Sequence, residues 1–412
     1  MLGRQMMPRR RLLALQEAKL RRLIRSAYRN VPYYRDLLTK SGLKPDDIRT
    51  LDDLSRIPIS TKADLARLPP DTLIARETDR RGCLPITTSG STGEPLTILW
   101  DDSALLTFYG TSARAHRILG GRLRDRILSI GPQYYPDNLL IQRLGIGRVR
   151  LVSPFKTAAE LLRLHNDYRP DILLCYPSVL KCLSHACQSQ RIKAHKPRLL
   201  LTSGEFLDDH TAERAESFFG KRPFQFYGSW EMGRIANQCQ SGEGLHINED
   251  ICIAEFLPVD PGMAGDCHRL ILTNLYNFTM PFIRYDQGDL VGILQDSCPC
   301  GQTFQRIKLL EARASEVIHL PDGSKVSALR FTGLIFGLPG VSQFKYVQER
   351  LDSLLVQIVE TEDYSHTAVL KLVSKIQGFL PGVAIRVETV SRITPNPAGK
   401  IVQFESRVSG SN

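Results

Sequence analysis

The sequence predicts an α/β protein in which a large N-terminal α/β body is followed by a small α+β C-terminal domain. Three observations carry that prediction. Strand and helix signals alternate between Arg126 and Tyr227, the rhythm of a largely parallel sheet. The composition breaks near Glu311–Glu316. Beyond the break, Pro321-Asp322-Gly323 stands between two short apolar runs, which is hairpin-turn chemistry. At ~150 residues per domain, the 412 residues suffice for two or three domains, each able to bury a core. The 42% apolar and 24% charged fractions are those of a globular chain, and no apolar run approaches the ~18 residues of a membrane span.

Taken in order, the chain opens on a basic helix, a turn at Asn30-Val31-Pro32-Tyr33-Tyr34 and a short helix near Arg35–Lys40. Arg126–Gly131, Arg148–Ser153, Asp171–Cys175, Arg198–Thr202 and Phe224–Tyr227 read as strands, with helices at Ser178–Gln188 after Pro177 and at Asp208–Phe219. Ile251–Gln295 reads as short strands and turns punctuated by Pro258, Pro261, Gly262 and Gly265. In the C-terminal part Glu316–Leu320 and Lys325–Ala328 flank the hairpin turn. Gln343–Gln348 and Leu354–Val359 form a second strand pair, Thr367–Phe379 a helix and Ala384–Val390 a strand.

The formal net charge is +11, and residues 1–30 carry +8 of it, with nine Lys/Arg against Glu17 alone. A basic arm of this kind suits nucleic acid, an anionic membrane surface or a transit peptide. The periodicity favours an amphipathic surface helix instead, because Leu12, Leu13, Leu15, Leu20, Leu23, Ile24 and Ala27 recur at helical spacing. Nine Cys, an odd number, and the absence of a visible secretory signal point to reduced thiols and a cytoplasmic protein.

Thr87-Thr88-Ser89-Gly90-Ser91-Thr92-Gly93-Glu94-Pro95 lies between two apolar strands, Leu84–Ile86 and Leu96–Trp100. Glycines let a backbone approach an anion, while amides and hydroxyls donate to phosphate oxygens. The loop lacks the Gly-Lys-Ser/Thr ending of a Walker sequence.

Four segments in order resemble the adenylate-forming (acyl-CoA synthetase) superfamily, and within it the phenylacetate–CoA ligase-like branch that includes capsular polysaccharide biosynthesis proteins. They are Thr88–Pro95, Tyr227-Gly228-Ser229-Trp230-Glu231, Arg284-Tyr285-Asp286-Gln287-Gly288-Asp289 and Pro395-Asn396-Pro397-Ala398-Gly399-Lys400. Asn30-Val31-Pro32-Tyr33-Tyr34-Arg35 and Ile57-Pro58-Ile59-Ser60-Thr61-Lys62 look like the same branch. The sequence departs from the common pattern at Trp230 and Gln287, where Thr is usual, at Ala312, where Gly is usual, and at Ser315-Glu316, where an acidic pair is usual.

The resemblance implies an ATP-dependent acid ligase. A carboxylic acid, aromatic or acyl, attacks the α-phosphate of ATP, pyrophosphate leaves, and the acyl-adenylate passes its acyl group to CoA. Positioning and charge stabilisation would carry such chemistry. Thr88, Ser89, Gly90, Ser91, Thr92 and Gly93 would hold the β- and γ-phosphates. Tyr227 would stack on adenine, with Gly228 and Ser229 beside it and Ser203, Gly204 and Glu205 lining the same pocket. Asp289 would accept the ribose hydroxyls and Arg313 would lie near the nucleotide. Glu231 would help hold Mg2+, a hard cation suited to carboxylate and phosphate oxygens. Lys400 would bridge the substrate carboxylate and the α-phosphate. Gln133–Asn138 and Tyr176 are candidates for the acid pocket. The implied division is 1–314 for ATP and acid binding and 315–412 for a mobile domain carrying Lys400, with the hinge near 311–316.

Cys298-Pro299-Cys300 is a tight Cys-x-Cys turn, and Cys239 and His246 lie upstream. Three thiolates and one imidazole complete a tetrahedral structural Zn2+ site, and some members of the branch carry such a set in this region. Buried reduced Cys acting as small hydrophobes is the alternative.

A second enzyme reading keeps adenylation and changes the acceptor to an amine, a carrier protein or a sugar. A degenerate member that binds nucleotide without turnover is another. A basic zinc-containing nucleic-acid-binding protein is the contrasting class, and the absence of aromatics interleaved with the basic run weighs against it. No nucleic-acid partner is expected. The oligomeric state, including a homodimer, stays open.

Overall fold

Caps and apolar faces in the sequence set where the elements fall. The first stretch runs α1 (Arg9–Asn30), α2 (Pro32–Lys40), β1 (Ser60–Thr61), α3 (Lys62–Ala66), α4 (Pro70–Leu73), β2 (Leu84–Thr87), β3 (Thr97–Trp100) and α5 (Asp102–Ile118). Next come β4 (Arg126–Ile130), β5 (Arg148–Val152), α6 (Ala158–Tyr168), β6 (Ile172–Cys175), α7 (Pro177–Ser189), β7 (Leu199–Ser203), α8 (Asp209–Phe219) and β8 (Phe224–Ser229). A strand-rich stretch follows: β9 (Gly233–Asn237), β10 (Leu245–Ile247), β11 (Cys252–Pro258), β12 (His268–Asn274), β13 (Tyr285–Leu294) and β14 (Arg306–Arg313). The chain ends with β15 (Val317–His319), β16 (Lys325–Ser327), β17 (Val341–Arg350), β18 (Ser353–Glu360), α9 (His366–Gln377), β19 (Ala384–Thr389) and β20 (Phe404–Ser406). This computed structural model describes residues 3–408 apart from 89–95, 132–144, 242, 260–266, 314–316, 329–330, 332–333, 336–337, 339, 362–363 and 397–398.

The chain divides into two compact units. The first holds Met1–Gly120, Phe226–Pro258 and His268–Leu309, and the second Gly121–Gln225, Val259–Cys267 and Leu310–Asn412.

In the first unit, α1 buries Leu12, Gln16, Leu20, Leu23, Ile24 and Ala27. Leu13 and Leu15, expected on that face, are only half-buried. Gln16 takes an inner position because its amide donates to the Cys252 carbonyl at 3.1 Å. Full burial of each large apolar side chain contributes about 1.5–3 kcal/mol. The basic face meets acids of the same unit: Arg9 pairs with Glu249 at 2.5 Å and Arg25 with Asp46 at 2.9 Å. Lys19 donates to the Asp250 carbonyl at 2.5 Å. The N-terminal charge is thus matched to the turn after β10 and to the segment after α2. The expected turn at Asn30–Tyr34 shrinks to Val31, because Pro32 takes the first position of α2, where its missing N–H costs nothing.

Asp101 caps α5 by accepting the Ala104 N–H at 2.7 Å. Below the cap, Arg114 is 1% exposed and donates twice to Asp250, at 2.7 and 2.9 Å, and once to Asn248. This helix went unassigned in the sequence, since its polar residues blur the periodicity. Strands β11, β12 and β13 are neighbours in antiparallel order, with β1 parallel on β13. Strands β14, β10, β9 and β8 continue in that order.

In the second unit β5, β4, β6 and β7 lie side by side, all parallel. Ile172–Cys175 is buried throughout, as a strand covered on both faces requires. Thr157 with Glu160 forms a capping box at α6, Asp208 caps α8 and Pro177 opens α7. A second sheet, in the order β19, β18, β17, β20, shares a core with α9 that includes Phe344, Tyr346, Val356, Leu372 and Phe404. The hairpin anticipated around Pro321-Asp322-Gly323 is β15–β16.

Candidate functional site

In the first unit the anticipated residues converge from β8, the turn after it and β13. Tyr227 lies on β8, and its hydroxyl donates to Asp289 Oδ2 at 2.6 Å. Gln287 Nε2 donates to the same Oδ2 at 2.9 Å and to the Tyr227 hydroxyl at 2.5 Å. Tyr285, Gln287 and Asp289 all lie on β13, whose register against β12 shifts around the positive-φ Gly288. Tyr285 donates its hydroxyl to Glu231 Oε1 at 3.1 Å. Glu231 is 7% exposed, and its main-chain carbonyl accepts from Asn274 Nδ2 at 3.1 Å. Its carboxylate therefore has one oxygen engaged by a neutral donor, an arrangement able to contribute a ligand oxygen to a hard cation.

The sequence dictates this geometry locally. A Cβ on Gly228 would come within 2.3 Å of the Gly233 carbonyl oxygen, so only glycine allows β8 and β9 to close there. Ser229 Oγ accepts the Met232 N–H at 3.2 Å and shapes the turn that presents Trp230 and Glu231. Arg284, from the same motif as Asp289, is structural: it pairs with Glu255 at 2.8 Å and donates to the Ser55 and Ile57 carbonyls. This ties the Ile57–Lys62 motif to the start of β13. Thr88 is buried, and its hydroxyl donates to the Leu96 carbonyl at 3.1 Å. Ser89, Gly90, Ser91, Thr92 and Gly93 lie outside the described residues, as do Gln133–Asn138.

In the second unit Ser203, Gly204 and Glu205 form the loop leaving β7, at the carboxyl end of a parallel strand where α/β sheets bind ligands. The C-terminal motif comes to this loop. Lys400 Nζ sits 5.8 Å from the centre of the buried Tyr176 ring. The Ile401 N–H donates to Glu205 Oε1 at 3.2 Å. Burial pushes the Glu205 carboxyl above the usual carboxylate range, while its bonds to Ser178, the nearby Lys400 charge and the Ile401 amide pull the other way. Arg313 ends β14, and its side chain lies outside the described residues.

The Cys/His set is brought together in the first unit. One ligand atom from each of Cys239, His246, Cys298 and Cys300 lies within 4.8 Å of the others. Cys239 Sγ and Cys298 Sγ are 3.6 Å apart, and Cys300 Sγ is 3.4 Å from His246 Nε2. His246 Nδ1 is 3.2 Å from the Phe304 carbonyl, a partner that can only accept, so the proton sits on Nδ1 and Nε2 faces the thiols. Burial lowers the His246 pKa and favours that neutral imidazole. All nine cysteines are free thiols. The sequence reading did not single out Phe304, Ser241 or Tyr285 as partners.

Comparison with known proteins bears on this assembly. No family model matches the chain. It is 28% identical over 351 residues to the phenylacetate-coenzyme A ligase of Thermus thermophilus, covering 81% of this chain and 77% of that protein. It is 22% identical over 410 residues to Protein CapK of Staphylococcus aureus, covering 94% and 88%. A crystal structure of 2-hydroxyisobutyryl-CoA ligase in the postadenylation state superposes with a TM-score of 0.77 at 19% identity, over 97% of this chain and 90% of that one. Relatives named phenylacetate-coenzyme A ligase and CapK support a place for the chain in the adenylate-forming, phenylacetate–CoA ligase-like branch. Its mixed α/β fold is the one that the 2-hydroxyisobutyryl-CoA ligase structure adopts. No helix among the described residues is long and apolar enough to cross a membrane.

Proposed function

We propose that the protein activates a carboxylic acid with ATP, releasing pyrophosphate, and transfers the acyl group from the adenylate to CoA. The observation that carries this reading is Lys400. A tail lysine, which would ordinarily be solvated, is instead held against Tyr176 and the loop after β7. There its ammonium would neutralise charge as the substrate carboxylate attacks the α-phosphate.

In the first unit, Tyr227 would face adenine and Asp289 would accept the ribose hydroxyls, with Gln287 fixing both. Thr88–Gly93 would donate to the terminal phosphates. Glu231, oriented by Tyr285, would hold Mg2+, which supplies charge neutralisation on the phosphates when bound. In the second unit, Ser203, Gly204 and Glu205 would form the loop beside Lys400. Residues 315–412 would form the mobile domain, hinged near 311–316, that carries Lys400 away before acyl transfer. Cys239, His246, Cys298 and Cys300 would hold a structural Zn2+. Three soft thiolates and an imidazole whose other nitrogen is already engaged fit that metal, and four protein ligands leave no position for catalysis.

Carboxylate-dependent pyrophosphate exchange, screened over aromatic, fatty and amino acids with and without CoA, tests the reading. Exchange with at least one acid and CoA-stimulated AMP release are expected, and Lys400→Ala should abolish exchange. Exchange without any CoA product would move the protein to another acceptor. Unchanged exchange in Lys400→Ala would remove the lysine from the chemistry.

A further inference from the structure

Both carboxylate oxygens of Glu205 are engaged within its own unit. Oε2 accepts the Ser178 N–H at 2.9 Å, and Oε1 accepts the Ser178 hydroxyl at 3.0 Å and the Ile401 N–H at 3.2 Å. Ser178 opens α7, where unpaired backbone N–H groups and the helix dipole favour a carboxylate. One side chain therefore joins three segments: the loop after β7, the first turn of α7, and the residue following Lys400.

Two bonds run within the tail loop itself. The Lys400 N–H donates to Asn396 Oδ1 at 3.1 Å, and the Asn396 N–H donates to the Lys400 carbonyl at 2.8 Å. These bonds close the loop, and Lys400 packs over the Tyr176 ring. A second attachment follows the same helix. Gln343 Oε1 accepts the Ile393 N–H at 3.2 Å, while Gln343 Nε2 lies 3.9 Å from Cys182 Sγ. Cys182 is four residues after Ser178, so both attachments use one face of α7.

We propose that Glu205 is a positioning residue whose carboxylate clamps the Lys400 loop to the N-terminus of α7, and that the clamp must open before the lysine can leave. Its catalytic consequence rests on the adenylation reading above; the clamp itself does not. The arrangement also changes the part Glu205 plays. With both oxygens spent on protein donors, it acts on the lysine loop rather than as a contact to the nucleotide. Trading partners is inexpensive for such a group, because Ser178 remains to satisfy the carboxylate after Ile401 departs.

Hydrogen–deuterium exchange of the full-length, ligand-free protein tests the clamp directly. In Glu205→Gln one acceptor oxygen becomes an amide donor facing an N–H. Peptides spanning 393–406 should then exchange about tenfold faster, with peptides from β6 and β7 unchanged. Ser178→Ala removes one donor and little else, so it should move the same peptides by about two- to fivefold even if the glutamine variant folds poorly.

The half-reactions separate positioning from structure. With phenylacetate as the acid, pyrophosphate exchange by Glu205→Gln should lose about tenfold in kcat with KM for ATP within twofold. Thioester formation from synthetic phenylacetyl-adenylate and CoA should keep its wild-type rate. Unchanged exchange at 393–406 in both variants would overturn the clamp. So would an equal fall in both half-reactions, or a raised KM for ATP at constant kcat, which would return Glu205 to the nucleotide. If the wild-type protein catalyses no exchange, the adenylation reading fails with this acid, and the deuterium data still decide the clamp.

Discussion

Replacing Glu231 by Gln separates charge from shape at the proposed metal ligand. The side chain is 7% exposed and its Oε1 accepts the Tyr285 hydroxyl at 3.1 Å. Glutamine is nearly isosteric and can present its carbonyl oxygen to the same hydroxyl. The fold should therefore lose little, about 1 kcal/mol or less, a shift in Tm of a few degrees. The negative charge is what disappears. Groups aimed at developing charge in a dry site contribute about 3–4 kcal/mol, so kcat for pyrophosphate exchange should fall about 10²–10³-fold. The Mg2+ concentration giving half-maximal rate should rise. Tyr285→Phe makes the complementary change, leaving the charge and removing one hydrogen bond to it. That bond contributes about 1.5–2 kcal/mol, or about 10–30-fold in rate. Because Tyr285 acts through Glu231, the double variant should be no slower than Glu231→Gln within about threefold. Exchange rates measured against Mg2+ for the four proteins decide the matter. Retention of more than a third of the rate by Glu231→Gln, or fully multiplicative effects in the double variant, would refute the reasoning.

Three further outcomes follow from the structure. Asp250→Ala should destabilise the protein by about 3–5 kcal/mol in urea titrations, because it strands the buried Arg114 guanidinium; a loss under about 1 kcal/mol would show the charge finding other partners. The purified protein should carry close to one Zn2+ per chain by elemental analysis, and Cys300→Ser should lower both that content and the Tm. A metal-free protein whose melting is indifferent to Cys300→Ser would leave the four residues as buried thiols and an imidazole. Burial in the second unit lowers the His165 pKa to about 4, against about 6.5 unfolded. Its Nε2 bonds the His195 carbonyl, and its Nδ1 has no partner among the described residues. The folded state thus disfavours the charged ring. Stability is complete above about pH 6.5 and falls by roughly 3 kcal/mol as the pH drops towards 4. Thermal melts across that window should show the slope in wild type and a shallower one in His165→Phe.

Much of the molecule was legible before any coordinates. The strands from Arg126 to Tyr227 stand within a residue or two of their expected bounds, because runs such as Ile172–Cys175 have few alternatives to a buried parallel strand. Pro177 and Asp208 marked helix starts through backbone chemistry. Two long helices escaped, besides the short ones at Lys62–Ala66 and Pro70–Leu73. The one at Asp102–Ile118 carries Thr111, Ser112 and Arg114 on its buried side, and the one at Ala158–Tyr168 buries His165. A buried polar residue breaks the apolar periodicity, and its justification is a partner far away in sequence. For Arg114 that partner is Asp250, 136 residues on.

The basic N-terminus shows the same division. Its composition allowed a polyanion-binding arm; the Glu249-Asp250 turn and Asp46, which pair with it, could be known only from the fold.

By itself the sequence determined the motifs, their order, the residue types able to hold phosphate, metal and adenylate, and most element bounds. These depend on local chemistry: caps, glycines and alternation along one strand. Tertiary structure alone decided which of those residues meet. It set Tyr285 on Glu231, gathered four ligand atoms from Cys239 to Cys300, and joined Ile401 to Glu205 across 196 residues. Hydrogen bonds act over about 3 Å, and chain separation carries no information about distance once the core has formed.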